Sequence, residues 1–196
     1  PFLGRYRKIA PKLQFELDIL PSAKLLERLN ANKVEFLILS DQIPLDTAHY
    51  AFRELCRDEM VCIVPPDHRL AAAGACALPD LAEETFLIKA APSATRVFVL
   101  DTLRAHGGSI GREMHISSTE AIKQGVMHGL GVSILSRFTV AHELAAGRLR
   151  ELQIAGLRFE RGIRVVFRRD KLLSPAAQRF LESLNFDRNA EAAELT

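Results

Sequence analysis

Three places in the chain put serine or threonine where a helix should begin: Ser22, the pair Ser93 and Thr95, and the run Ser117-Ser118-Thr119. A helix start leaves backbone N–H groups unpaired and carries the positive end of the helix dipole, so a hydroxyl beside it completes a binding point for a small anion. Serine and threonine also cap helices with no ligand present. Capping accounts for each start taken singly, but not for three starts opening on one cleft. The candidate binding residues are therefore Ser22, Ser93, Thr95, Ser118 and Thr119. None is acidic, and Glu120 is expected to turn back toward its own helix start.

Other chemistry is thinly represented. The chain has no G-x-S-x-G, S-x-x-K, H-E-x-x-H or P-loop pattern, so no catalytic residue is assigned. Gly129-Leu130-Gly131 lacks a third glycine and follows a helix where a dinucleotide site would open one. The histidines at 49, 68, 106, 115, 128 and 142 are scattered and none pairs with cysteine at ligand spacing, so neither metal nor cofactor is expected. Cys56, Cys62 and Cys76 are odd in number and unpaired in spacing, as in a reduced cytoplasmic protein. Arg158, Arg161, Arg164, Arg168 and Arg169 mix with Glu160 and Asp170, which favours a solvated strand face over a DNA contact. A net charge of +2 does not by itself indicate a nucleic-acid surface, and no apolar run reaches membrane-span length.

The elements that must position the hydroxyls follow from periodicity. Ser117 to Ser136 reads as a helix cap, a helix, a glycine turn and a buried strand. Ser117 and Glu120 have capping-box spacing, and Ile122 and Val126 share a helix face. Gly125 and Gly129 suit close approach to a sheet and a left-handed turn, and Val132, Ile134 and Leu135 form the strand. Leu13, Phe15, Leu17 and Ile19 alternate as a strand. Pro21-Ser22 opens a helix, and Val34 to Leu39 reads as a central strand. Extended runs at 51–56 and 59–64 flank Arg57-Asp58. After Pro65-Pro66 come a helical turn at 78–84, a strand at 86–89, a helix from Pro92 to Leu103 and a strand at 113–116. A short helix at 138–146, strands at 149–154 and 163–167, and a helix opened by Ser174-Pro175 complete the order. Strand and helix alternating over short connections predict an α/β fold. The 196 residues, 48% of them hydrophobic, suffice for one large or two small cores. The tail from Asp187 reads as frayed, and the start within an apparent helix reads as that of a fragment.

These pieces, in this order, resemble the effector-binding domain of LysR-type transcriptional regulators. The matching segments are Pro1-Phe2-Leu3 with Arg5 to Arg7, Ala23 to Leu29, and Asp58 to Val61 leading to Pro65 through Leu70. They continue with Pro92 to Arg96, where Pro92 and Ala94 replace glycines of the family pattern GSGTR, and with Ser118 to Lys123. Gly129 to Leu135, Glu143 to Leu149 and Arg168 to Ala177 complete the set.

The resemblance implies a fold like type 2 periplasmic binding proteins: two Rossmann-like α/β lobes, an inter-lobe cleft and two crossovers. Residues 1–65 with 156–196 would form lobe I, lacking its first strand, and 66–155 lobe II, with crossings near Pro65-Pro66 and Ala155-Gly156. It implies an effector-sensing, non-catalytic domain of a bacterial regulator that binds a small anionic metabolite between the lobes. It further implies cytoplasmic location, DNA binding through an upstream winged helix-turn-helix, and no membrane contact. A homodimer would join the helix at Phe2 to the helix after Thr95 of a second subunit, through Phe2, Tyr6, Val99 and Leu103. A solute receptor of a transport system is the alternative on the same fold.

Overall fold

A computed structural model describes residues 2–186, without the side chains of Phe2, Arg5, Asn185 and Phe186; the tail from Asp187 lies outside the described residues. The chain divides into two compact units, Pro1–Cys56 with Gly162–Thr196 and Arg57–Arg161. The changes of unit fall inside two continuous strands. The breakers Pro65-Pro66 and Gly156 mark strand ends instead, where a missing N–H or a positive φ stops a ladder.

The first unit holds α1 (Phe2–Ile9), α2 (Ser22–Asn30), β1 (Leu37–Ser40) and α7 (Pro175–Phe186). It also holds the start of β2 (Tyr50–Val64) and most of β8 (Phe159–Arg168). The C-terminal strand run pairs with the early apolar run as expected, β1 lying antiparallel to β8 in the register Leu37↔Val166 to Ser40↔Ile163. Successive side chains of a strand face opposite ways. Val165 accordingly joins Tyr6, Phe180 and Leu181, and Val166 joins Leu29, Leu37 and Leu39. The ring of Tyr6 meets that of Phe180 edge-on at 5.2 Å, a favoured aromatic geometry.

Two expectations fail in this unit. Residues 13–19 form no strand, and Leu17 and Ile19 are exposed, while Leu13 packs beside Tyr6 and Phe15 meets its ring. Alternation reports faces, but a ladder also needs a hydrogen-bonding neighbour, and no described strand pairs with this segment. Expected to be central, β1 pairs with β8 alone among the described strands.

The second unit is built on the far part of β2, which is one 15-residue strand running through Arg57-Asp58 without interruption. Its partners are β6 (Ser133–Ser136) and β7 (Arg150–Ile154), both antiparallel, and β3 (Ala75–Cys76) lies parallel to β7. Met60, Cys62 and Val64 face a core shared with Val99 and Leu103 of α4 (Ala94–Ala105). Val61 and Ile63 face a second core with Ile122 and Val126 of α5 (Thr119–Met127) and Val140 of α6 (Arg137–Ala145). The strands β4 (Thr85–Lys89) and β5 (Arg112–Ile116) pair in parallel after the short helix α3 (Leu78–Ala82), and Phe86 bridges to Val132 beside them. Cys62 and Cys76 are buried thiols whose pKa values burial raises.

Tyr6, Val99 and Leu103 are 5%, 1% and 2% exposed. They are used up inside the chain, so they cannot supply the expected contact with a second subunit; Phe2's side chain is outside the described residues. An amphipathic pattern says that a face is covered, not what covers it.

Two contacts fix α5. A Cβ on Gly125 would stand 2.5 Å from Leu87 Cδ2, so the glycine lets the helix lie on β4. Lys123 donates to Glu143 Oε1 at 2.9 Å and pairs with Glu120 at 2.8 Å, tying α5 to α6. The hydrogen bond from Lys123 holds the Glu143 carboxyl below the ordinary range, against the opposing effect of burial.

A Cβ on Gly131, whose φ is +153°, would lie 2.0 Å from the Thr85 carbonyl oxygen. Gly131→Ala should therefore destabilise the chain by about 1–3 kcal/mol in denaturant melts. A depressed Glu143 pKa contributes stability above its unfolded value, about 4.3, and that contribution is lost as pH falls through the folded value. Lys123→Met should cost about 1–3 kcal/mol at neutral pH, because it removes the hydrogen bond to the carboxylate and leaves Arg148, 3.7 Å away, as the remaining cation. Its melting temperature should also fall less than that of the parent between pH 6 and pH 3, as thermal melts in that window would show.

Candidate functional site

The parallel pair β4–β5 runs Thr85↔Arg112 to Lys89↔Ile116, so both strands end together. Helix α4 follows β4 after a short turn containing a cis Ala91-Pro92 bond, and α5 follows β5. Four of the five sequence-assigned hydroxyls therefore come to one end of one strand pair. Ser93 is the N-cap of α4, its Oγ accepting from Arg96 N at 3.2 Å, and Thr95 is the second residue of that helix. Ser118 is the N-cap of α5, its Oγ accepting from Ala121 N at 3.3 Å, and Thr119 is its first residue. The two starts are laced together: Ala90 N donates to Ile116 O at 3.0 Å, and Lys89 Nζ donates to Ser117 O.

The cap is thus Ser118, not Ser117. Glu120 does not return to the helix start; its carboxylate accepts from Gln124 at 3.0 Å and pairs with Lys123. With the cap one residue later, Glu120 falls at the second helical position, where the capping-box geometry is lost. Ser22 sits elsewhere. It is the first residue of α2 in the other unit, with Pro21 preceding it and no side-chain cap.

One contributor was missed. Arg161, in the C-terminal part of the second unit, donates from Nη1 to Thr95 Oγ1 at 3.0 Å. Its Nε and Nη2 lie 2.9 and 2.8 Å from Asp58 Oδ2, and Ser136 Oγ donates to Asp58 Oδ1 at 2.6 Å. The Arg161 and Asp58 side chains are 12% and 3% exposed, so this is a buried pair. Such a pair is held by the desolvation cost of separating it. The solvated-face reading of the arginine series also fails at Arg164, which is half-buried over the Phe52 ring at 4.6 Å and donates to Asp41 O. Arg168 is tied to Asp170 and to Asn30 O. Arginine alternation along β8 carries no information about these partners, most of them more than a hundred residues away.

Arg96 is turned away from the helix start, its Nη2 2.8 Å from Glu113 and its Nη1 2.8 Å from His115 Nε2. The hydrogen bond to His115, together with Arg96, holds the Glu113 carboxyl below its ordinary range. A surface concavity of about 580 Å³ in the first unit, lined by His49, Tyr50, Arg168 and Asp170 among others, contains none of the five hydroxyl residues. Among the described residues no group of three or more His, Cys, Asp and Glu could hold a metal ion. No described helix is long and apolar enough to cross a membrane.

Comparison with known proteins adds the following. The chain is 35% identical over 166 residues to the RuBisCO operon transcriptional regulator of Allochromatium vinosum, covering 85% of this chain and 54% of that protein. It is 34% identical over 168 residues to the HTH-type transcriptional regulator CbbR of Rhodospirillum rubrum, covering 86% and 55%. The chain spans about half the length of these curated relatives. Among solved structures it is similar to the CcmR regulatory domain of Synechocystis PCC6803 in complex with 2-PG, with TM-score 0.83, 27% identity, and 93% and 87% of the two chains covered. The effector binding domain of QuiR in complex with shikimate, 18% identical with TM-score 0.80 over 96% and 89%, shares the fold. That fold is the type 2 periplasmic-binding-protein-like fold expected from the sequence. The LysR substrate binding domain profile matches residues 1–186, nearly the whole chain, and to that family the chain belongs.

Proposed function

We propose that the chain is the effector-sensing part of a bacterial LysR-type regulator and that a small anionic metabolite is bound at the starts of α4 and α5. The observation that carries this reading is the placement of Ser93, Thr95, Ser118 and Thr119 at one end of β4–β5, with Arg161 on the Thr95 hydroxyl. Amides at two helix starts and four hydroxyls favour an acid, and the Lys89 ammonium and the N–H groups of Arg161 add to that preference. Ser22, expected from the sequence as a further contact, belongs to the other unit. Support for the ligand class comes from the CcmR regulatory domain, whose structure holds 2-PG, that is 2-phosphoglycolate. The named relatives, both transcriptional regulators, favour sensing over solute transport or catalysis. The reading further assigns DNA binding to a winged helix-turn-helix upstream, a cytoplasmic location, and action as a homo-oligomer. For self-association the exposed large apolar residues of α1 and α4 among the described side chains are Leu3, Ile9 and Val97, 36%, 75% and 57% exposed.

Titration of the chain with 2-PG, followed by calorimetry and melting temperature, tests the site. Thr95→Ala should weaken binding about ten- to a hundredfold, the effect of losing a hydrogen bond to a charged group of about 1.5–3 kcal/mol. Ser22→Ala, titrated in the same way, tests the remaining sequence expectation. A lower melting temperature with unchanged affinity in both variants would return these hydroxyls to helix stability alone. For assembly, sedimentation at micromolar concentration should show a dimer that Val97→Glu shifts toward monomer; a monomeric parent chain would refute the interface.

A further inference from the structure

Arg161 offers more than a hydrogen bond to Thr95. A guanidinium carries five N–H groups. Nε and one N–H of Nη2 face Asp58 Oδ2, and one N–H of Nη1 is given to Thr95 Oγ1. That leaves N–H capacity on both terminal nitrogens, the atoms through which a guanidinium holds a carboxylate or phosphate. Thr95 Oγ1 accepts from Arg161, so its own O–H is the group it can give to a ligand.

Asp58 governs how much positive charge this fork presents. Its Oδ2 faces Arg161 and its Oδ1 accepts from Ser136, so the carboxylate is fixed from both sides. The pair is formally neutral, and with side chains 12% and 3% exposed it is little screened by solvent. A neutral pair holds an anion through oriented N–H groups; a lone guanidinium would add its full charge.

We propose that Arg161 is the charge-pairing residue of the effector site at the α4 start, and that Asp58, by neutralising it, limits how tightly a small carboxylate or phosphate ester is held there. This rests on the anion-binding reading above. Arg161 makes specificity a matter of charge as well as shape: an acid binds, and its amide or ester does not. Asp58 is the positioning residue. It aims the fork while keeping affinity below what an unpaired arginine would give.

The test compares the parent chain with Asp58→Asn, Arg161→Gln and the double variant, each titrated with 2-PG and with inorganic phosphate at low and high salt. Asparagine can still accept from Arg161 and bond Ser136, so Asp58→Asn keeps the fork aimed. It should bind 2-PG about three- to tenfold more tightly than the parent at low salt, with a steeper loss of affinity as salt rises. Arg161→Gln should bind about ten- to a hundredfold more weakly. If stranding Asp58 prevents that variant from folding, the double variant restores neutrality and should show the same weakening.

Tighter binding in Asp58→Asn together with weaker binding in the double variant supports the assignment. A lower melting temperature with affinity unchanged in both would make the pair purely structural and overturn it. Weakening by Thr95→Ala but not by loss of Arg161 would overturn this inference while leaving the effector site standing. No binding of either probe to the folded parent chain would overturn both.

Discussion

The second unit depends on one constraint: β2 is buried on both faces. From Met60 to Val64 successive residues alternate between two cores, one closed by α4 and the other by α5 and α6. A strand with two apolar faces cannot shift register by one residue without exchanging every side chain between cores. Its pairing with β6 and β7 is therefore pinned, and the helices on either face inherit that precision. Burying Val, Leu or Ile contributes about 1.5–3 kcal/mol per side chain, more than any single hydroxyl at the helix starts. The scaffold is set by the cores, and the polar groups sit on it.

The Asp58–Arg161 pair lies where this scaffold begins. Asp58 precedes the alternating stretch of β2, and Arg161 is the last residue of the second unit before the chain passes into the first. In the first unit the same strand continues through Gly162, whose N–H donates to Asp41 Oδ2 at 2.8 Å. A Cβ there would meet that oxygen at 2.6 Å and Glu54 Oε2 at 3.0 Å. The stretch of β8 around the unit change is thus held by charged and hydrogen-bonded groups on its flank as well as by apolar packing.

Legibility in the sequence followed the range of the interactions. The helix–turn–strand unit over 117–136 was readable because its determinants are local: apolar spacing, a glycine with φ +75° at 129, and a serine cap. Even there the cap was misplaced by one residue, because three consecutive hydroxyl residues offer the same chemistry and only the backbone chooses among them. The placement of Ser93, Thr95, Ser118 and Thr119 at helix starts was legible for the same local reason. The role of Arg161 was not. Its partners, Asp58 and Thr95, lie 103 and 66 residues away, and no periodicity links them. Residues 13–19 illustrate the opposite error, a clean local alternation with which no described strand pairs. Val99 and Leu103 illustrate another: an apolar face that was assigned to a second subunit and is filled by the chain's own core.

The hydroxyl residues at the ends of β4 and β5 belong to neither core, although the strands and helices that carry them do. The polar end of this strand pair and the packing that holds it are consequently written in separate parts of the sequence. The Ser93 and Ser118 hydroxyls cap α4 and α5 and the Thr95 hydroxyl meets Arg161, while none of them fills a core. Substitution at these positions therefore costs a cap or a hydrogen bond, about 1 kcal/mol each, and leaves the register of β2 untouched, so the chemistry of this end can drift at a small, local expense in stability.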